Sequence, residues 1–480
     1  ARVVVVKALA SALTLGSGGS AGSEGPIIQI GSAWGSSIGQ LFRISETNTK
    51  TLIACGAAAG ISAIFNAPIA GVLFAMEIIL GEFTIAAFTP VVISSVLSAV
   101  VAQSVSGDRP VFVTPDYHFT SAFELIWFVL LALIAGVLAV GFIKLLYGSE
   151  DFFNLRLTIV PEWVKPAIGG ALVGAIGLFY PEAMGVGYQT IESALNGGIA
   201  AQTLMILLGF KLIATVLTLG AGGSGGVFAP TLFFGAALGG AFGDFATAYL
   251  PGTTSPTGAF AVVGMGAMVS ATTHAPLTAM LIIFEMTGSY HIILPLMFAT
   301  IIALITARAF ERESIYSLKL SRRGIRAFHG RDLSVLERVP VSRIMRDTYD
   351  FVREDTSLGE IVSMIQSSGN RDYPVLDESG KILGMVWFHD IREVMLENSM
   401  YPLLIASDVV GEVPETVHPE SSLADALLRF SEVDADTLPV VRSEDSRRMA
   451  GVVTRKDLMR FYERVLLIRE RTEAMAANLE

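Results

Sequence analysis

The sequence predicts an all-α polytopic membrane body followed by a pair of small α/β modules, and three observations carry that prediction. Of 480 residues, 52% are hydrophobic and 16% charged, whereas a soluble globular domain carries about 25% charge. The charge is also unevenly spread: residues 1–310 hold 24 Lys, Arg, Asp and Glu, and the last 170 residues hold 53. Each of the two parts, finally, repeats itself internally.

The body comes first. Apolar stretches recur at 51–79, 84–105, 122–147, 164–180, 200–219, 228–248, 257–286 and 291–310. Several reach the roughly 20 residues that a spanning helix needs. Others are shorter or broken by Gly and Pro, which lipid tolerates only where the backbone lines a cavity or is buried in protein, so they point to a transport site. The N-terminus shows no cleavable signal pattern. Residues 6–26, VKALASALTLGSGGSAGSEGP, align without gaps to 210–230, FKLIATVLTLGAGGSGGVFAP, with 11 identities in 21. Residues 56–77 align to 264–285 with 8 identities in 22. The body is therefore two homologous halves. A long helical pattern precedes residue 210, including GVGYQ at 185–189, while five residues precede Val6. The opening helices of the first half are thus expected to lie outside this sequence.

The Gly-rich run at 16–26 is the first candidate site. Its glycines allow close backbone approach, and Pro26 suits a helix start. A helix N-terminus carries about half a positive charge and up to four unpaired N–H donors, so it attracts an anion without Lys or Arg. The repeat supplies a second such start around Gly226, Val227 and Phe228. Dipoles in place of full charges keep binding weak enough for release. Glu24 lies inside the first run, aligned with Phe228 in the second. An ionisable residue in an apolar span is a functional candidate by default. When ionised it occupies the anion's place at a helix end, and when protonated it leaves.

The tail begins after a basic cluster, Arg308, Arg312, Lys319, Arg322, Arg323 and Arg326, which the positive-inside rule places in the cytoplasm. DTSLGEIVSMI at 355–365 and PESSLADALLRF at 419–430 read as amphipathic helix starts. YPVLD at 373–377 parallels LPVVR at 438–442, and GMVWFHDI at 384–391 parallels GVVTRKDL at 451–458. Short β-branched strands alternating with helices give two α/β modules.

Several classes are excluded by composition. One cysteine, Cys55, rules out a disulfide scaffold and reads as a small packed residue. A net charge of −11 argues against a nucleic-acid surface. His274, His291 and His389 stand apart, with no second ligand at metal spacing. No nucleophile and base pair marks an enzyme.

Together, GSEGP at 22–26, GGVFAP at 225–230, the FNAP and HAPLT blocks, EMTGSYHIILP at 285–295 and IYS at 315–317 resemble the CLC family of chloride channels and chloride/proton antiporters. The tail resembles a pair of cystathionine β-synthase (CBS) domains. The resemblance implies a body of inverted repeats at 1–327, incomplete at its N-terminus, with CBS domains at 335–400 and 403–466. It implies a homodimer in the lipid bilayer, one pore per subunit, in a plasma or bacterial inner membrane, with the CBS pair cytoplasmic. The helices equivalent to 68–77, 84–103, 276–285 and 292–309 form the dimer face in the family.

Residue by residue, the resemblance makes Glu24 the external gate, within an anion-binding segment Gly22, Ser23, Glu24 and Gly25. Gly226, Val227 and Phe228 match the second segment, whose amides hold chloride. Tyr316, which alone reads as an interfacial aromatic, matches the tyrosine whose hydroxyl faces the central ion. A serine-bearing turn that completes the site is expected before residue 1. Two departures stand out. The family's common GREGP is GSEGP here, with Ser23 for Arg. Ile78 stands where the antiporters usually carry an internal proton-relay glutamate, immediately after the position of Glu77, so the sequence leans towards channel-like or atypical coupling. Glu77 and Glu285 are repeat-equivalent and read as structural. In the tail, Thr454 and Asp457 resemble the turn by which CBS modules hold an adenine nucleotide's ribose. Trp387 replaces the Thr in the first module, although Asp390 remains. A CBS-containing Mg2+ transporter is the alternative, but a divalent path needs several converging oxygens.

Overall fold

The computed structural model describes residues 2–107, 110–114, 122–158, 160–249, 255–322, 336, 339–368, 372–392, 401, 403–411, 416–433, 435–442, 447–462 and 464. Arg323 and Arg326 of the basic cluster and the side chain of His389 lie outside them. The chain divides into two compact units, Ala1–Ala327 and Phe328–Glu480.

The first unit is built from helices: α1 (Arg2–Gly16), α2 (Glu24–Leu41), α3 (Glu46–Phe65), α4 (Pro68–Phe74), α5 (Ile85–Ser106), α6 (Leu125–Asp151), α7 (Lys165–Gly177), α8 (Tyr188–Leu195), α9 (Ala201–Gly220), α10 (Phe228–Tyr249), α11 (Thr257–Thr273), α12 (Pro276–Thr287), α13 (Ile293–Phe310) and α14 (Ser317–Arg322). By length and composition α5, α9, α13 and α6 with its extension to Arg156 are able to cross a membrane. The apolar stretches at 51–79 and 257–286 are each two helices. Asn66 and His274 end α3 and α11 in the left-handed region, at φ 48° and 58°. Pro68 and Pro276 then open α4 and α12, where a missing N–H costs nothing.

The two halves pack on one another about a local two-fold, visible as bonds that occur in pairs. The Ser20 N–H donates to Thr218 Oγ1 at 3.1 Å, and the Ser224 N–H donates to Thr14 Oγ1 at 3.0 Å. The hydroxyls of Ser20 and Thr215 lie 3.0 Å apart, and those of Ser224 and Ser11 2.9 Å. Each glutamate at 77 and 285 caps a helix of the other half. Glu77 accepts from the Thr278 N–H at 2.8 Å and the Leu277 N–H at 3.3 Å; Glu285 accepts from Ala70 at 2.7 Å and Ile69 at 3.0 Å. So α4, continued by the π-helical turn Ala75–Leu80 that carries Glu77, and α12, which carries Glu285, run antiparallel, each carboxylate satisfying the other helix's first turn.

Within each half a glycine ladder draws two helices together. Gly31, Gly35 and Gly39 of α2 face Gly56, Leu52 and Thr49 of α3; Gly235, Gly239 and Gly243 of α10 face Gly264, Phe260 and Thr257 of α11. A Cβ at any of the six would run into the opposite helix. Glycine in a helix costs about 1 kcal/mol against alanine, so its repetition at matching positions marks close helix contact as the compensating gain. Aromatic pairs fill the remaining core, among them Phe65 with Phe228 at 5.3 Å and Phe142 with Phe234 at 5.0 Å. At the end of this unit Arg322 pairs with Asp151 at 2.5 Å and Lys319 with Glu150 at 3.5 Å, so part of the basic cluster is neutralised.

The second unit holds β1 (Val352–Arg353), β2 (Tyr373–Leu376) and β3 (Ile382–Val386) in one sheet, and β4 (Thr437–Val441) with β5 (Met449–Thr454) in another. The hairpins β2–β3 and β4–β5 carry a bulge at the same place, after Val375 and Val440. Every residue of β2 and β4 is buried, which is why both, apart from Thr437 at the start of β4, lack the polar alternation of a half-exposed strand. The modules also exchange chain. Arg346 bridges to Val452 of β5 in both directions, at 2.8 and 3.1 Å, and Val341 joins a core with Leu423, Leu438 and Val453. Ala406 in turn packs with Leu358 and Val375 of the first module.

Candidate functional site

Helices α2 and α10 begin at the repeat-equivalent residues Glu24 and Phe228. The loops before them meet: the Gly22 N–H donates to the Gly226 carbonyl at 2.9 Å and the Gly226 N–H to the Gly22 carbonyl at 2.7 Å. Two helix starts, each with a positive partial charge, are thereby held at one place. Glycine keeps both positions clear for this arrangement. A Cβ on Gly22 would collide with the Glu24 carboxylate, and one on Gly226 would lie 2.7 Å from the Gly25 nitrogen and 2.8 Å from Glu24 Oε1.

Glu24 is 1% exposed. Its Oε1 accepts from the Ala229 N–H at 2.8 Å, while its Oε2 is buried with no hydrogen-bond partner among the described atoms. The carboxylate therefore caps the other half's helix, α10, and occupies the helix start. Ser23, the residue before α2, makes no side-chain cap. The carbonyl of Val227 accepts from the Thr231 N–H and hydroxyl, and Phe228 is 1% exposed against Phe65.

Tyr316 joins the same apolar cluster as Val227 and Phe228, its ring edge-on to Phe74 at 6.5 Å. It is held by its neighbours: the Ile315 N–H donates to Thr272 at 3.0 Å, and the Ile315 carbonyl accepts from Tyr147 Oη at 2.6 Å. Glu24 is within electrostatic reach of Tyr316. The fold thus brings Gly22, Ser23, Glu24, Gly25, Gly226, Val227, Phe228 and Tyr316 into one region. Ile78 lies in a π-helical turn (Ala75–Leu80) that packs against the same core.

Two residues of this region escape the sequence reading. Tyr188, inside the GVGYQ segment, opens α8 and is also within reach of Glu24. Lys211 is completely buried, and its Nζ donates to the carbonyls of Ala183, Met184 and Gly185 at 3.2, 3.3 and 2.6 Å. Three acceptors match the three donors of an ammonium, and Phe233 lies under it at 5.4 Å. The available signal was the identity of Lys7 and Lys211 in the repeat, together with the rule that a charge inside an apolar span needs a reason.

In the second unit, the Thr454 hydroxyl donates to Asp457 Oδ2 at 2.7 Å. Arg346 takes both carboxylate oxygens, Nε to Oδ2 and Nη2 to Oδ1, each at 2.7 Å. Burial pushes the Asp457 carboxyl up, but the Arg346 guanidinium and the Thr454 hydroxyl outweigh it and hold it below the usual range. In the first module Trp387 is buried in a core with Leu376, Ile382 and Val441, and a Cβ on Gly411 would lie 3.2 Å from its Nε1 and 3.4 Å from Asp390 Oδ2. Asp372 ties the modules together. It accepts from the N–H groups of Asp436 at 2.8 Å, Thr437 at 3.2 Å and Phe388 at 3.3 Å, and burial pushes its carboxyl up against those bonds.

The profile of the voltage gated chloride channel family matches residues 1–308. The chain belongs to the CLC family. CBS domain profiles match residues 341–397 and 406–464 of this CLC protein. It is 40% identical over 329 residues to a ClcB-like protein of Ralstonia nicotianae, covering 67% of this chain and 76% of the relative. It is 36% identical over 329 residues to the H(+)/Cl(-) exchange transporter ClcA of Vibrio campbellii, covering 67% and 70%. Among solved structures it resembles a slow cyanobacterial Cl-/H+ antiporter at 30% identity, TM-score 0.61, covering 67% of this chain and 76% of that one. A eukaryotic CLC transporter shares the fold over 95% of this chain and 80% of its own, at 22% identity and TM-score 0.65.

Proposed function

We propose that this CLC protein carries chloride across a membrane along a path through the facing starts of α2 and α10, with Glu24 as its gate. It transports an ion and performs no covalent chemistry. The observation that supports this most is the Glu24 carboxylate on the Ala229 N–H, where a backbone donor at a helix start holds the negative charge. There it competes with chloride for the same donors. Protonation removes its negative charge and with it most of its hold on the α10 dipole. Chloride flux in liposomes tests the gate: Glu24→Gln should raise or lower the rate and remove its pH dependence. An unchanged rate and pH profile would refute the assignment. Selectivity for an anion over Mg2+ follows from the same donors and from family membership.

Ile78 has no ionisable group, so we read chloride movement as not bound to the usual internal proton relay. The exchangers among the relatives favour a second reading, coupling to protons by another route. The reversal potential under opposed chloride and pH gradients separates them. Tracking chloride alone means a channel, and a shift with pH means exchange.

The remaining expectations form one picture. The protein resides in the lipid bilayer as a homodimer through α4, α5, α12 and α13, in a plasma or bacterial inner membrane. The CBS pair is cytoplasmic and takes an adenine nucleotide at Thr454 and Asp457, while Trp387 fills the matching place beside Asp390. Cross-linking across α5 and α13, and adenosine binding to the full chain, test these points.

A further inference from the structure

A gate must have somewhere to go. When chloride takes the N-terminus of α10, the Glu24 carboxyl has to leave the Ala229 N–H, and it starts from a place that is 1% exposed. A buried carboxyl without a partner is costly in either protonation state. Its displaced position therefore needs a polar group that the resting structure leaves unused.

The described residues offer one in the right place. Tyr188 Oη is buried and makes no hydrogen bond, as is true of Glu24 Oε2. Helix α8 packs on α10, with Gly187 against Phe233, and α10 is the helix whose start holds the Glu24 carboxylate; Tyr188, Ile28, Val227 and Phe228 share one apolar cluster. Electrostatic reach between Glu24 and Tyr188 agrees with that placement. The hydroxyl is also held in position. Gly187, at φ 86°, turns the chain into α8, and the Tyr188 ring stands edge-on to Phe112 at 5.5 Å. The Phe112 N–H is anchored on the Met286 carbonyl at 3.0 Å, and Lys211 ties down the 183–185 turn just before Gly187.

We infer that the Tyr188 hydroxyl is the hydrogen-bond partner of the Glu24 carboxyl once it has left α10, making Tyr188 a positioning residue for the open gate. The inference rests on the reading of Glu24 as the gate. It supplies a reason for leaving a tyrosine hydroxyl unpaired in an apolar cluster: its partner arrives only in the other state.

The experiment is chloride flux from liposomes containing the full-length protein, measured against pH for wild type, Tyr188→Phe, Glu24→Ala and the double variant. Phenylalanine keeps the ring on Phe112 and removes only an unpaired hydroxyl, so folding is preserved. Tyr188→Phe should lower flux about three- to tenfold near neutral pH and move its midpoint to lower pH by up to about one unit, the effect of one hydrogen bond on a protonated gate. In the Glu24→Ala background it should change nothing, because no carboxyl remains to be held. A wild-type pH profile for Tyr188→Phe, or an equal loss in both backgrounds, overturns the inference while leaving the gate intact. A pH profile unchanged by Glu24→Ala removes the gate reading and this inference with it.

Discussion

Gly22 and Gly226, 204 positions apart in the chain, exchange backbone hydrogen bonds in both directions. This bridge joins the two halves of the body at the paired starts of α2 and α10, the proposed anion site. Because the two glycines are equivalent by repeat and Glu24 is not equivalent to Phe228 in chemistry, a symmetric frame holds a carboxylate on one side only.

That asymmetry separates two alanine variants. A methyl on Gly22 meets the far end of the flexible Glu24 side chain, which is able to move aside. Gly22→Ala should therefore fold, displace the carboxylate from Ala229 and flatten the pH dependence of chloride flux. A methyl on Gly226 meets the Gly25 backbone nitrogen at 2.7 Å, which is unable to yield without moving α2. Gly226→Ala should lower folded yield and thermal stability in detergent. Equal behaviour of the two would contradict the geometry.

Glu77 and Glu285 should behave as a pair. Replacing either with Ala strips two N–H groups of their acceptor, a loss of about 1–2 kcal/mol for a helix cap. Glu77→Ala should be the more costly of the two, since Glu77 also accepts from the Thr278 hydroxyl at 2.7 Å. Thermal unfolding midpoints of the two variants make the comparison, and a neutral result for either would sink the reciprocal-cap account.

Lys211→Met keeps the length of the side chain and removes its donors. The carbonyls of Ala183, Met184 and Gly185 then lose a shared partner in a buried setting, at about 1–3 kcal/mol for each left unpaired. Amide hydrogen exchange should rise across 183–188, and chloride flux should fall as Tyr188 loses its support. Unchanged protection in that segment would mean that the turn holds itself.

Asp457 and Asp372 of the CBS unit respond to pH in opposite directions. Asp457 is held below its ordinary range, so its contribution to stability is present above that range and is lost as pH falls through the lowered value. Asp372 is raised by burial, so its contribution is full at low pH and is lost as pH rises from the ordinary range through the raised value. Asp457→Asn should flatten the acid side of the stability profile and Asp372→Asn the opposite side, as followed by thermal unfolding of the tail.

Arg346→Ala should tighten adenosine binding about two- to fivefold, because the ion pair that occupies Asp457 is half exposed and worth no more than about 1 kcal/mol. Adenosine is the informative probe, since it carries no phosphate for the arginine to attract. Calorimetry on the full chain reads the change, and weaker binding would show that Arg346 serves the ligand.

Much of the candidate site is legible in the sequence. The repeat at 6–26 and 210–230 named both helix starts, the resemblance weighted Glu24 and Tyr316, and parallel strand and helix patterns gave the two tail modules. These signals are local or lie in the register of one segment against another, and a linear reading detects both. Other features became visible only in three dimensions. That Glu24 reaches the Ala229 N–H of α10, that Glu77 and Glu285 cap each other's helices, and that Asn66 and His274 split apolar stretches all depend on packing or backbone conformation. Segment 339–346 crossing to the second module, and Arg346 closing on Asp457, depend on it as well.

The sequence by itself determined which segments are apolar enough to enter lipid, that they come in two homologous halves, and where the two Gly-rich helix starts lie. Composition and repeat identity encode those properties residue by residue. The tertiary structure alone decided which donors face which carboxylate and that the Tyr188 hydroxyl is buried without a partner, because the residues that surround Glu24 lie some 160 to 290 positions from it in the chain. Their partners are set by the two-fold packing of helices around glycine, a geometry that no stretch of sequence contains.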